Sequence, residues 1–165
     1  MATHTQVSLE EYLRASYEPD AEYLDGEIVE RNVGEYPHSN AQANLTGLFY
    51  SLRKKLPLHA CTELRLRLAH ARYRVADLAV FAPEAPTENV PSSPPLIIVE
   101  IVSRDDGYTQ IMEKLEEYRA WGVAHVWLVD PWVRKLYVYT AGLSEVPAFQ
   151  VPEYNLELPA AEIFS

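Results

Sequence analysis

Residues 94–103, PPLIIVEIVS, constrain the fold more than any other part of the chain. An unbroken apolar run of this length, opened by two prolines, reads as a strand covered on both faces and is too short to cross a membrane. Its one charge is Glu100. A bare ionised carboxylate in such surroundings is costly or shifts its pKa, so Glu100 needs a metal ion, a basic side chain or a place at the strand's open end. Residues 74–81, RVADLAVF, repeat the pattern with Asp77. Two apolar strands that each carry one acid point to a shared carboxylate site.

The elements around these strands have local signatures. Ser8 followed by Glu11 matches a capping box and predicts a short helix from Leu9 to about Ser16, ending before Pro19. In residues 22–31, EYLDGEIVER, Asp25-Gly26 sits between two apolar-rich arms, which predicts a two-residue hairpin with Glu22 at its outer end. Ala41, Leu45, Leu48, Phe49, Leu52 and Leu56 recur at helical spacing, predicting a long helix over residues 38–56 with Arg53, Lys54 and Lys55 at its C-terminus. Residues 63–68 alternate polar Glu63, Arg65 and Arg67 with leucines, the period of a half-exposed strand. The five prolines of residues 83–95 mark a loop. Beyond Glu100, Asp105 or Asp106 is placed to cap a second helix with Tyr108, Ile111, Leu115 and Tyr118 as its apolar stripe and Gly122 at its end. Residues 125–130 and 135–139 read as two more strands, and the tail as one short turn near residues 158–164. Strands interleaved with two long helices give an α/β domain built on a central sheet.

Composition limits the partners. A chain of 165 residues with 48% hydrophobic content is expected to form a single domain over residues 1–165. Its 14 basic and 24 acidic residues leave a net charge of −10, which argues against broad attraction to nucleic acid. Half of the 14 basic residues nevertheless fall between positions 53 and 74, a cluster that reads either as a phosphate-binding patch or as a solvated face paired with acids. The lone Cys61 excludes an internal disulfide, and no cysteine or histidine spacing suits structural zinc. The start, MATHTQVSLEEYL, has no basic region followed by an apolar core, so the default expectation is a cytoplasmic protein without a membrane segment.

Paired acids suit phosphodiester hydrolysis, where a carboxylate-bound divalent ion activates water and neutralises the phosphate. Mg²⁺ keeps several waters, so Asp77 and Glu100 suffice as the protein's side-chain share. A strand lysine two residues after Glu100 would share its face, but position 102 is Val. Lys114 is a substitute: it lies about 60° from Ile111 on the helix, where a long side chain reaches round the apolar stripe. The bland alternative is a solvated lysine paired with Glu113 or Glu117. For Asp77 it is a strand-end acid bound by backbone or Arg74, for Glu22 an exposed hairpin acid paired with Arg31, and for His38 a residue at the start of a helix. Ser103 lacks partners for a nucleophilic triad, and Trp121, Trp127 and Trp132 read as core or interface residues.

The ordered set Glu22-Tyr-Leu-Asp-Gly-Glu27, His38, Val75-Ala-Asp77, Ile98-Val-Glu-Ile-Val-Ser103, Lys114 with Tyr118, and Gly122 with Val126-Trp-Leu-Val-Asp-Pro131 resembles the Uma2 family. That family was formerly a domain of unknown function and belongs to the PD-(D/E)XK nuclease-like group. The likeness runs along nearly the whole chain, including the LPAAEIF ending. It implies a restriction-endonuclease-like core, a central mixed sheet flanked by helices, with the N-terminal helix and hairpin added. Asp77 and Glu100 become the motif acids and Lys114 the lysine displaced onto a helix. The implied metal ligands are Asp77, Glu100 and Ile101, for Mg²⁺ or Mn²⁺, and Glu22 and His38 line the same cleft. The implied substrate is DNA. The chain departs from the family pattern at Ala76 and Arg104, where prolines are common, without losing a charge from the site. The alternatives are a nuclease-like module that binds or assembles without cutting, and a hydrolase of another phosphate compound. A homodimer formed through exposed aromatics such as Trp132 is a further expectation.

Overall fold

The computed structural model describes residues 6–165; the first five residues of the segment tested for a leader sequence lie outside them. The chain opens with helix α1 (Leu9–Arg14), two residues shorter than expected, and both halves of its Ser8–Glu11 capping box form. Strands β1 (Ala21–Leu24) and β2 (Glu27–Glu30) make the predicted hairpin, with Asp25 and Gly26 at φ 51° and 101°. Positive φ at both turn residues is why Asp-Gly closes such a hairpin.

Helix α2 (Tyr36–Leu52) starts with Pro37 in its first turn and buries His38, Ala41, Leu45 and Phe49 along one stripe. Arg53, Lys54 and Lys55 lie past its last turn. Strands β3 (His59–Ala69), β4 (Arg72–Phe81) and β5 (Ile97–Ile101) follow, and every residue of β5 is buried. Helix α3 (Tyr108–Trp121) ends where Gly122 takes the left-handed conformation, φ 113°. Its start corrects the sequence reading in two respects. Gly107 is the N-cap, because Asp106 is already engaged by the Ser103 amide and Asn32, and Tyr108 is 73% exposed, outside the apolar stripe. Strands β6 (His125–Asp130) and β7 (Lys135–Tyr139) appear as expected. The tail holds more structure than one turn: β8 (Leu143–Val146), β9 (Ala148–Val151), a 3₁₀ turn, β10 (Leu156–Pro159) and α4 (Ala160–Ile163).

Among the described residues, eight strands form one mixed sheet in the order β2-β1-β4-β5-β6-β7-β8, with β3 on the far edge of β4. Only β5 and β6 run parallel. Helix α2 covers one face, packing Leu45 and Phe49 with Leu78, Val99, Trp127 and Phe149. Helix α3 covers the other, packing Leu115 and Tyr118 with Leu66, Ile98 and Leu128. This is a central mixed sheet flanked by helices. Trp127 belongs to the core, Trp121 packs at the edge of the α3 cluster, and Trp132 lies at the surface beneath the Arg104 guanidinium. No helix among the described residues is long and apolar enough to cross a membrane.

One irregularity positions the site. Along the edge opposite β3, strand β4 pairs with β1 at Arg72 and Tyr73, then with β5 from Leu78 to Val80. Residues 74–77 have no strand partner on that edge, so the sheet splits there. Alternation also changes at this point: Ala76 packs with the α3 cluster, whereas Leu78 and Val80 pack with the α2 cluster. Opposite Asp77, Glu63 of β3 adopts φ 50°, a left-handed backbone that is uncommon for a residue with a side chain.

Candidate active site

The split opens into a cleft of about 740 Å³ lined by Glu22, Arg31, His38, Asp77, Glu100, Ile101 and Lys114, among others. Its backbone edge is completed by side chains. The Val75 N–H donates to Glu22 Oε1 at 3.0 Å, and the Val75 carbonyl accepts from Lys114 Nζ at 3.0 Å. Glu22 and Lys114 thus do the hydrogen bonding that a neighbouring strand does elsewhere.

The antiparallel register of β4 and β5 puts Asp77 opposite Glu100, one step beyond the last paired residues, Leu78 and Val99. Asp77 accepts from the Ile101 N–H at 2.7 Å, has His38 Nε2 at 3.4 Å, and forms an ion pair with Arg31. Burial works against its charge, but the His38 and Arg31 contacts win and hold the carboxyl down at about 2. Glu100 accepts from Tyr118 Oη at 2.8 Å and from Lys114 at 3.1 Å. Here burial dominates, opposed by Lys114 and reinforced by the charge of Asp77, and the carboxyl rises to about 7. Two adjacent acids are therefore driven apart, the pattern found where carboxylates serve different chemical roles.

Lys114 also meets Glu22 at 2.7 Å, and Glu22 meets Arg74 at 2.9 Å. Against its burial, these two cations keep Glu22 ionised, down at about 2. Lys114 is buried as well, yet Glu100 and Glu22 raise its pKa, so it stays an ammonium. The same balance raises His38, where the bond to Asp77 outweighs burial. His38 Nδ1 is the single buried side-chain polar atom without a partner among the described residues.

Of the residues singled out from the sequence, the structure brings Glu22, His38, Asp77, Glu100, Ile101 and Lys114 to one cleft. Two of the bland alternatives fail, since Glu22 is 4% exposed and pairs with Arg74 rather than Arg31, and Lys114 pairs with neither Glu113 nor Glu117; Asp77 is not bound by Arg74 but does accept a backbone bond. Ile101 contributes its amide to Asp77. Sequence reasoning gave Arg31 no place here, although it bridges Asp77 and Glu63, and it missed Gln42, which donates to Glu63 at 2.7 Å and to the Asp77 carbonyl at 2.9 Å. The useful signal for Arg31 was its position one residue past β2, at the same open end of the hairpin as Glu22.

The basic cluster of residues 53–74 does not form one phosphate-binding face. Arg72 and Arg74 are taken up by Glu117, Asp25 and Glu22, Arg65 lies over Tyr12, and Arg53 over Tyr50. Among the described residues, no three His, Cys, Asp or Glu side chains cluster closely enough to hold a metal. The hard oxygen donors on hand are the Asp77 and Glu100 carboxylates and neighbouring backbone carbonyls. That set fits an ion that retains several waters, and a bound dication would offset the Asp77 charge that, after burial, raises the Glu100 carboxyl.

A mixed sheet split at its centre, with an acid on each of two adjacent strands and a lysine reaching in from the covering helix, defines a restriction-endonuclease-like core. The comparisons agree with that class. The chain belongs to the Uma2 family, whose model, described as "Putative restriction endonuclease", matches residues 9–163. Its fold is similar to the crystal structure of a putative nuclease belonging to DUF820 from Anabaena variabilis ATCC 29413, with a TM-score of 0.83 and 23% identity over 96% of this chain and 97% of that one. No curated protein matches the chain.

Proposed function

We propose that the protein is a metal-dependent nuclease that hydrolyses phosphodiester bonds in DNA, with Asp77 and Glu100 holding Mg²⁺ or Mn²⁺. The observation that carries this reading is the break in the sheet, where acids of β4 and β5 face each other beside a buried lysine. Membership in a family described as "Putative restriction endonuclease" supports it. The ion, when bound, supplies Lewis-acid activation of a water and neutralisation of the phosphate.

The remaining chemistry belongs to the chain. Lys114, held as an ammonium by Glu100 and Glu22, orients the attacking water and stabilises charge developing on the phosphate. Glu22 fixes Lys114 in the cleft, and His38 and the Ile101 amide fix the Asp77 carboxylate. Those three are positioning groups. The test is nicking of supercoiled plasmid in Mg²⁺ or Mn²⁺. The intact protein should cut, and Glu100→Ala and Lys114→Ala should each cut about 100-fold more slowly or worse. Undamaged plasmid with folded wild-type protein in both metals would refute the reading.

One observation favours a second reading, a nuclease-like module that binds without cutting. Arg72 and Arg74, basic residues that line the cleft, are engaged in internal ion pairs, and the net charge is −10. Under that reading the protein binds metal, loses it in Glu100→Ala, and cleaves no nucleic acid.

A further inference from the structure

We propose that Arg31 is a built-in counter-cation for Asp77, one that a divalent ion must displace, so that the side chain competes with metal loading. The inference rests on the metal-site reading above and deepens it. Arg31 stands just past β2, and its backbone N–H donates to the Asp20 carbonyl at 2.9 Å, which fixes the main chain and leaves the side chain as the moving part. Its guanidinium spans Asp77 with one nitrogen and Glu63 with the other. Arg31, His38 and Asp77 line both the main cleft and a second cavity of about 420 Å³ beside it, so the guanidinium stands between the two spaces that lead to Asp77.

Both Asp77 oxygens are occupied without any ion: Oδ1 by Arg31, and Oδ2 by the Ile101 amide with His38 beside it. A dication that takes Asp77 therefore requires a resident group to withdraw, and the contacts identify which. Lys114 serves Glu22, Glu100 and the Val75 carbonyl at once, so its departure would break three contacts rather than one. Arg74 and Arg72 lie on Glu117, away from the acid pair. Arg31 holds Asp77 by one contact and keeps a partner, Glu63, after leaving it. Glu63, 39% exposed in its side chain, is held toward it by Gln42 and by the left-handed backbone at φ 50°.

The test is calorimetric titration of Mn²⁺ into the intact protein and into Arg31→Met, which keeps the apolar stem and removes the charge. If Arg31 leaves Asp77 free in about one molecule in ten, the variant binds Mn²⁺ about tenfold more tightly. Its metal-free melting temperature falls, because Asp77 loses an ion pair, and its rise on adding Mn²⁺ exceeds that of the wild type. Equal or weaker binding in a variant with wild-type circular dichroism overturns the competition while leaving the metal site standing. No binding by either protein overturns both. Should Arg31→Met fail to fold, Glu63→Gln decides the matter: without its alternative partner Arg31 stays on Asp77, and Mn²⁺ binds more weakly than to wild type. Equal or tighter binding in Glu63→Gln contradicts the proposal.

Discussion

Where β5 begins, Ile97, Ile98 and Val99 are enclosed between α2 and α3 without a polar side chain among them, while Trp127 of the next strand stacks on Phe149 at 4.1 Å. Where β5 stops, Glu100 and the facing Asp77 sit among Arg31, His38, Lys114 and Tyr118. Both ends are inside the fold, and their energetics are opposite. The apolar end gains from every atom removed from water. At the charged end, desolvation consumes most of what the ion pairs return, so its arrangement is explained by chemistry better than by stability.

The largest effect should come from the apolar end. Trp127→Ala should cost about 3–5 kcal/mol in denaturant unfolding and leave Mn²⁺ affinity unchanged in the protein that remains folded. A change in affinity of tenfold or more would show that the two ends are coupled and break the comparison.

At the charged end the sign reverses for Glu100. Its folded pKa of about 7 lies above the ordinary 4.5, so the protonated form favours folding. That contribution is complete below about pH 4.5 and is lost as pH rises through about 7. Glu100→Gln, neutral at every pH, should make the metal-free protein more stable than wild type by about 2–3 kcal/mol at pH 8, with the gap closing toward pH 4. Asp77 and Glu22, held at about 2, run the other way: their stabilisation is present above the usual carboxylate range and is lost as pH falls toward 2. A Glu100→Gln variant less stable than wild type at pH 8 would mean that the ion pair with Lys114 outweighs burial.

The smallest effect should sharpen the picture of Glu100. Tyr118→Phe removes the hydroxyl donor to Oε1 and should cost about 1 kcal/mol at pH 8. Because the lost bond served the ionised carboxylate, the pH at which Glu100 destabilises the fold should move upward.

The contrast between the two ends also explains what the amino-acid order revealed. Features encoded within a few residues could be read directly: Asp25-Gly26 closing the hairpin, Gly122 ending α3, and the apolar runs of β4 and β5 with their acids. The pairing of β9 with β10 escaped because residues 143–159 are short strands interrupted by Pro147 and Pro152, with little alternation to follow. The site was half legible. Asp77 and Glu100 stood out by their apolar settings, and the Uma2 likeness pointed to Glu22, His38 and Lys114. Their partners did not stand out, since the bonds of Arg31 to Asp77 and of Arg74 to Glu22 depend on how the hairpin docks on β4, a register no local pattern encodes.

The most direct measurement of the central claim is an anomalous difference map from crystals grown with Mn²⁺. The account predicts a peak in contact with carboxylate oxygens of both Asp77 and Glu100 and absent from Glu100→Ala crystals. A cleft with no peak, or a peak held by other residues, would contradict it.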